Sequence, residues 1–567
     1  MSKKVLIIGG VATGGKAAAR IVRRDPEAEV TIIEKGNIIS YGACGLPYFI
    51  SDVVKDHREL MSTPIGVIRD ENFFKNVKGV TVYTKTRAEE IDREKKLVKT
   101  KHTETGAIKE FSYDKLVLAV GGSPVVPPLK GINLNNIYQL KTIEDGIALK
   151  NYLQSRKTTK AVIVGAGLIG MEMAEALNLL GAEVTVIEML GWILPTILDK
   201  DLGLIVGRYL QGKGITVRTS EKVLRFEGDR QGAVKKVVTE KGQIGADVVL
   251  LSIGVRPNVE LARKAGLAIG ETGAIAVNEF LQTSDPDIYA GGDCVENTHR
   301  LSGKKVYTPL GSTANKHGRI IADQITGGGP SFPGVLGTAI CKVLDFNVAK
   351  TGLSETEAIS QGIDIETILC PGQDRPHYYP GNATIIIKLV AEKKTHRLLG
   401  AQIVGPGDVS KRLDIVVTAL SFGSTIEGLA TLDLAYAPPF SSAMDAIITA
   451  AHVMENKLNG LAKSLSPLAV QEKMARDDDF ILLDVRSLPE YEAIRIQDPK
   501  VRLSPLGKLR GDYKNLPRDK EIITFCKVSL RGYEAQRILE AQGFKNVKFI
   551  DGGIVSWPFE TIGKVWR

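Results

Sequence analysis

Val5-Leu6-Ile7-Ile8-Gly9-Gly10-Val11-Ala12-Thr13-Gly14-Gly15 decides the fold of this chain. Four consecutive apolar residues read as a short strand buried on both faces, the mark of a parallel sheet. A glycine turn follows, then the helical Lys16 to Arg24, then a second strand, Val30-Thr31-Ile32-Ile33, which ends at Glu34. Strand, glycine turn, helix, strand and acid in that order form a dinucleotide-binding unit. Gly9 and Gly14 let the backbone approach a pyrophosphate at the helix N-terminus, where unpaired N–H groups and the helix dipole favour anions. Glu34 can accept hydrogen bonds from ribose hydroxyls, with Lys35 beside it. Val11 occupies the usual second-glycine position, so this copy is imperfect.

A second copy begins about 155 residues later. Ala161-Val162-Ile163-Val164 leads into Gly165-Ala166-Gly167-Leu168-Ile169-Gly170, a helix from Met171 to Leu180, and Val184-Thr185-Val186-Ile187 ending at Glu188. This copy is complete at Gly165, Gly167 and Gly170. Two copies are far more specific than one, and they imply two dinucleotide sites. Glu188 would repel a 2′-phosphate and bond a free 2′-hydroxyl, which favours NADH over NADPH. Between the copies, Tyr113-Asp114-Lys115-Leu116-Val117-Leu118-Ala119-Val120-Gly121-Gly122-Ser123-Pro124 is a strand running into a glycine turn. After the second copy come a strand ending at Gly254 and the segment Gly291-Gly292-Asp293-Cys294. An Asp after a Gly-Gly turn suits polyol hydroxyls, or simply closes an Asx turn.

Composition narrows the class. At 567 residues the chain holds three or four domains at roughly 100–200 residues each. The net charge is +9, yet no Lys/Arg block or aromatic-interleaved basic patch occurs, so polyphosphate small molecules are expected rather than nucleic acid. The five cysteines, Cys44, Cys294, Cys341, Cys370 and Cys526, are widely spaced, without a C-x-x-C pair or metal-ligand spacing. A disulfide framework is not expected, a metal site is not expected, and a reducing cytoplasm is the expected compartment. The apolar run Val5 to Ile8 is too short for a signal sequence, and no run approaches a membrane span.

The order of these pieces resembles the two-dinucleotide flavoprotein disulfide reductases, over about residues 1–450. The resemblance implies an α/β protein with two Rossmann-like, glutathione-reductase-like domains and an α/β dimerisation domain. The FAD domain would be 1–150 plus 255–330, the NAD(H) domain 151–254, and the interface domain 331–456 of a homodimer. By the same resemblance FAD would be held by Gly9, Gly14, Glu34, Lys35, Ala119, Gly121, Asp293 and Ala314. NADH would be held by Gly165, Gly167, Gly170, Glu188 and Gly254.

Ser40-Tyr41-Gly42-Ala43-Cys44-Gly45-Leu46-Pro47-Tyr48 supplies the reactive group. Glutathione-reductase-like members carry a nearby pair of redox cysteines, whereas Cys44 has no second cysteine near it. It must therefore cycle through a mixed disulfide, a persulfide or a sulfenic acid. Cys44-Gly45-Leu46-Pro47-Tyr48, His377-Tyr378-Tyr379-Pro380-Gly381 and Tyr436-Ala437-Pro438-Pro439-Phe440-Ser441 resemble the coenzyme A-disulfide reductase branch. Carried over, Tyr378 and Tyr436 reach the cysteine across a dimer interface, where a phenol can protonate a leaving thiolate; the alternative is that they only pack that interface. Coenzyme A contacts fall on Arg20, Arg23 and Ser40, with Asn315 lining the site. Ala43 stands where this branch often has Asn. His317 and His377 read as ordinary packing or polar histidines.

The C-terminal hundred residues form one more domain, 465–567, after a linker read as Lys457 to Ser464. Phe480 to Arg486 is a strand ending in Asp484-Val485-Arg486. Glu521 to Phe525 is another, followed by Cys526-Lys527-Val528-Ser529-Leu530-Arg531-Gly532 and a helix from Tyr533 to Gln542. N–H groups converging on Cys526, with Lys527 and Arg531 nearby, suit a thiolate or persulfide. Together with Asp551-Gly552-Gly553 before Trp557, this stretch resembles a rhodanese domain, although the Gly-His-Ile segment of that family is absent. The resemblances together imply NADH-dependent reduction of CoA persulfide, polysulfide or CoA disulfide at Cys44, with Cys526 delivering sulfur. The rival expectations are an NADH oxidase or peroxidase cycling through a Cys44 sulfenic acid, and a non-catalytic redox sensor or sulfur carrier.

Overall fold

A computed structural model describes residues 2–155 and 159–565. The chain forms two compact units. The first comprises residues 1–165, 176–184 and 223–335; the second comprises 166–175, 185–222 and 336–567.

The first unit is built on the opening strand. Lys4–Ile8 lies between Lys115–Leu118 and Glu29–Ile33 in a five-stranded parallel sheet completed by Ile288–Ala290 and Thr81–Tyr83. Val5, Leu6 and Ile7 are almost fully buried, as a run apolar on both faces requires. One face carries helix α1 (Thr13–Arg24), which starts inside the glycine turn rather than at Lys16. The short helix α2 (Leu46–Ile50) follows a 3₁₀ turn at Ala43–Gly45. Helix α3 (Ile143–Gln154) begins with a capping box between Thr142 and Asp145. Helix α4 (Gly311–Ile325) packs on α1, where Arg20 grips Asp323 through two hydrogen bonds of 2.5 and 3.0 Å. The strand Lys160–Val164 pairs in parallel with Val248–Leu251.

The second unit holds an antiparallel sheet in the order Ala339–Val343, Phe346–Gly352, Leu398–Gly405, Thr384–Glu392, Ile365–Gln373. Lys388, buried in this sheet, is shared by Asp199, Asp201 and Glu355. Beyond it lies a parallel sheet in the order Ser464–Leu465, Val547–Ile550, Glu521–Phe525, Phe480–Asp484, Val501–Leu503. Helix α5 (Leu488–Ala493) and helix α6 (Leu530–Ala541) flank it. The expected linker is shorter than its sequence suggests. The helix Ala446–Leu458 runs through Lys457, and Ser464 already pairs with Phe549. Lys457 stays in the helix because its side chain is buried against the Thr367 carbonyl, Glu366 and Asp551.

Candidate active site

The two nucleotide turns fold alike. In the first, Gly9 has φ +103°, and a Cβ there would run into the Ala119 carbonyl. In the second, Gly165 has φ +101°, and a Cβ would run into the Ser252 carbonyl. Only glycine lets the strand end pass its neighbour so closely. Each terminal acid is then clamped by its own turn. Glu34 accepts the N–H groups of Gly10 and Gly36, both at 2.8 Å. Glu188 accepts those of Ala166 and Leu190, both at 2.9 Å. Each carboxylate keeps lone pairs for ribose hydroxyls. Gly14 is buried in the first turn of α1, Gly121 has φ +64°, Gly254 has φ +117°, and Gly167 faces open space. Gly170 is buried on the second nucleotide helix, and Lys35 is exposed. Glu172 follows on that helix; burial, then the neighbouring Glu175, pushes its carboxyl up to about 7.

In the first glycine turn, Thr13 donates to the Ala314 carbonyl at 3.0 Å, tying the turn to α4. His317 on α4 accepts the Gly292 N–H at Nδ1, 3.1 Å away, and its ring is fully buried edge-on to Phe332. Burial pulls its pKa down to about 4, so the ring is neutral, with its proton on Nε2. It positions the Gly291-Gly292-Asp293 turn as a packing histidine. Lys141, which no motif singled out, lies 3.3 Å from the Asp293 carboxylate. These two clamped acids, close-approach glycines and an Asp held on a glycine turn fit adenine dinucleotides with a polyol chain.

Cys44 is exposed, and all five cysteines are thiols. It sits in the 3₁₀ turn ahead of α2, with Gly42 donating to the Leu60 carbonyl at 2.9 Å. A Cβ on Gly311 would stand 3.8 Å from the Cys44 Sγ, so the first turn of α4 abuts the sulfur. The helix dipole favours negative charge at such a place. Ser40 takes the left-handed conformation at φ +51° while its N–H donates to Gly10. Of the expected coenzyme A contacts, Arg20 is committed to Asp323, Arg23 is exposed, and Asn315 bonds the Gly311 carbonyl of its own helix.

In the second unit Tyr378 and Tyr436 are neighbours, both exposed. Slight burial and then the adjacent Tyr436 phenol hold the Tyr378 hydroxyl above its ordinary value. Tyr436 borders a cleft of 270 Å³ with Thr431, Asp433, Ser441, Met444 and His452. The His377 ring stands edge-on to Tyr378 at 5.6 Å.

Cys526 differs sharply, being only 1 % exposed and packed among Ile481, Leu483, Ala535 and Leu539. Its loop is pinned by backbone bonds from Ile554 and Val555 and by Ser529, which at φ +89° accepts the Gly552 N–H. Arg531 is engaged already. Its two terminal nitrogens donate to the Glu490 carboxylate at 2.8 and 2.7 Å. That pairing holds the Glu490 carboxyl down at about 2 and raises the guanidinium. Arg486 of the Asp-Val-Arg strand end is bound to Asp484 and also to the Glu490 and Ile494 carbonyls, so it braces α5. Sequence reasoning missed Glu490; the Ser487-x-x-Glu490 capping box was a local pattern that marks it, and nothing local marks its partner.

Residues 3–318 match the pyridine nucleotide-disulphide oxidoreductase family, 338–447 its dimerisation domain, and 466–559 the rhodanese-like domain. The NAD(P)H coenzyme A polysulfide/persulfide reductase of Pyrococcus horikoshii is 38% identical over 455 residues, 80% of this chain and 99% of that protein. Among solved structures, a NAD-dependent persulfide reductase from A. fulgidus is 45% identical with a TM-score of 0.93, covering 98% of this chain and all of its own. Reduced CoADR-RHD of Bacillus anthracis is 32% identical with a TM-score of 0.91, covering 98% of both chains. The chain is a member of the pyridine nucleotide-disulphide oxidoreductases, a family that uses FAD and NAD(P)H, and it carries a rhodanese-like domain after the dimerisation domain.

Proposed function

We propose that the protein is an NADH-dependent reductase of sulfane sulfur carried by coenzyme A, as persulfide or polysulfide, and of CoA disulfide. The observation that carries this reading is a lone exposed thiol against the first turn of α4, in a chain that also holds a rhodanese-type cysteine loop. When bound, FAD supplies a two-electron relay between the nicotinamide and the sulfur. The Cys44 thiolate attacks the inner sulfur of a CoA persulfide. One sulfur–sulfur bond breaks, one forms, and hydrosulfide leaves. Two electrons originating in NADH then cleave the Cys44–CoA disulfide, a proton joins the departing CoA thiolate, and Cys44 is restored.

Tyr378 or Tyr436 donates that proton in a homodimer, which the dimerisation domain supports. Arg23 and Ser40 hold the coenzyme. Glu188 favours NADH because a 2′-phosphate would face a carboxylate. The compartment we expect is the cytoplasm, where widely spaced cysteines stay reduced; no helix among the described residues is long and apolar enough to cross a membrane. Cys526 accepts sulfane sulfur and hands it to coenzyme A.

Anaerobic NADH oxidation against CoA persulfide, polysulfide and CoA disulfide, with sulfide quantified, tests the reading. One sulfide per NADH is expected with the persulfide. NADH consumption that needs only oxygen, and no turnover with any sulfur acceptor, would replace this reading with an NADH oxidase.

A further inference from the structure

Lys150 of α3 has no part in the chemistry described so far, yet it is a buried cation, with its side chain 8 % exposed. Burying an ammonium is expensive unless acceptors surround it. Here every acceptor named for it comes from the stretch immediately after Cys44. Its Nζ donates to the Phe49 carbonyl at 2.8 Å and the Lys55 carbonyl at 3.4 Å, and it lies 2.8 Å from the Asp52 carboxylate. It also stands 4.0 Å over the Phe49 ring. One turn earlier on the same face of α3, a Cβ on Gly146 would meet Leu46 at 3.0 Å and Phe49 at 3.6 Å.

The helix gripped in this way, α2, has only five residues. A helix that short does not hold its own conformation in water, so packing and end contacts set its direction. Its C-terminal carbonyls carry partial negative charge, which a cation there offsets. The turn beyond it passes through Asp52 at φ +64°, an uncommon conformation for a residue with a side chain, and the ion pair to Lys150 holds that side chain in place. Cys44 sits at the opposite end of the same segment, and its sulfur must stay against α4.

We propose that Lys150 is a positioning residue for Cys44: it clamps the exit of α2 and thereby fixes the aim of the sulfur at the helix entrance. The proposal rests on Cys44 being the reacting sulfur. A methionine would fill the same space over Phe49 but would leave the Phe49 carbonyl and the Asp52 turn without their cation.

The test separates the two halves of turnover in the FAD-loaded enzyme. In rapid mixing, Lys150→Met should slow reoxidation by CoA persulfide or CoA disulfide at least tenfold, while reduction by NADH stays within twofold of the wild type. Lys150→Arg should recover most of the loss, and Asp52→Asn should show a smaller deficit of about threefold. A variant in which both halves slow together, or neither does, overturns the assignment. Alkylation of Cys44 by iodoacetamide, followed by mass spectrometry, reads the aim of the sulfur without any sulfur substrate. A change of fivefold or more in Lys150→Met, reversed in Lys150→Arg, is expected, and an unchanged rate overturns the proposal. If wild-type enzyme reduces no sulfur acceptor, the proposed function fails by itself and the alkylation result still decides the role of Lys150.

Discussion

Cys44 and Cys526 are two thiols placed ahead of helices by opposite means. Cys44 stands exposed on a 3₁₀ turn, ahead of a five-residue helix that packs on α3, with the first turn of α4 against its sulfur. Cys526 is sealed in its own domain's core, in a loop pinned by Ile554, Val555 and Ser529, with the neighbouring arginine already neutralised by Glu490. The first arrangement keeps a sulfur accessible to a bulky disulfide. The second holds its sulfur buried in the domain core, within a loop fixed by backbone hydrogen bonds.

Four outcomes would sharpen or break that contrast. Cys44→Ser should lower NADH-dependent sulfide release more than a thousandfold while FAD remains bound, read by flavin absorbance and sulfide assay; retained turnover would move the chemistry elsewhere. Phenylalanine at Tyr436 should slow the sulfur half-reaction by about a hundredfold, the lower range for a lost general acid, and leave reduction by NADH unchanged. Cys526→Ser should cost about tenfold on polysulfide or thiosulfate and nothing on CoA disulfide. If it costs nothing on any substrate, the second thiol is structural. In native protein, iodoacetamide should modify Cys44 at least tenfold faster than Cys526, the difference disappearing in denaturant.

A smaller effect concerns the frame that holds Cys44. His317 has its pKa lowered to about 4 in the fold, against about 6.5 when unfolded. Between those values the unfolded chain binds more protons, so the stability from this group is complete above pH 6.5 and is lost as the pH falls towards 4. At pH 5 the loss is about 2 kcal/mol. A thermal-unfolding series from pH 7 to 5 should show a drop that His317→Asn reduces.

Much of the site was legible because its signals are local. The Gly9 and Gly165 turns and the acids Glu34 and Glu188 recur at fixed spacing, since a strand, a turn and a helix must fit one pyrophosphate. The Cys526 loop and the lone Cys44 were legible for the same reason. Arg20 shows the limit. Its place on α1 suggested a phosphate contact, and nothing near it in sequence announces that Asp323, 303 residues away, pairs with its guanidinium. Arg531 likewise pairs with Glu490, 41 residues earlier, a partner that its own loop does not reveal. Lys457 looked like linker because nothing beside it in sequence reveals Asp551.

The order of elements, the two nucleotide turns and the identity of the two thiols follow from the amino-acid sequence alone, because periodicity and turn chemistry act over a few residues. Only the tertiary structure decided which charges were spent inside the fold and which remained for a ligand. Electrostatic pairing depends on distance in space, and the bond from Lys150 to the backbone carbonyl of Phe49 leaves no trace in the sequence of either partner.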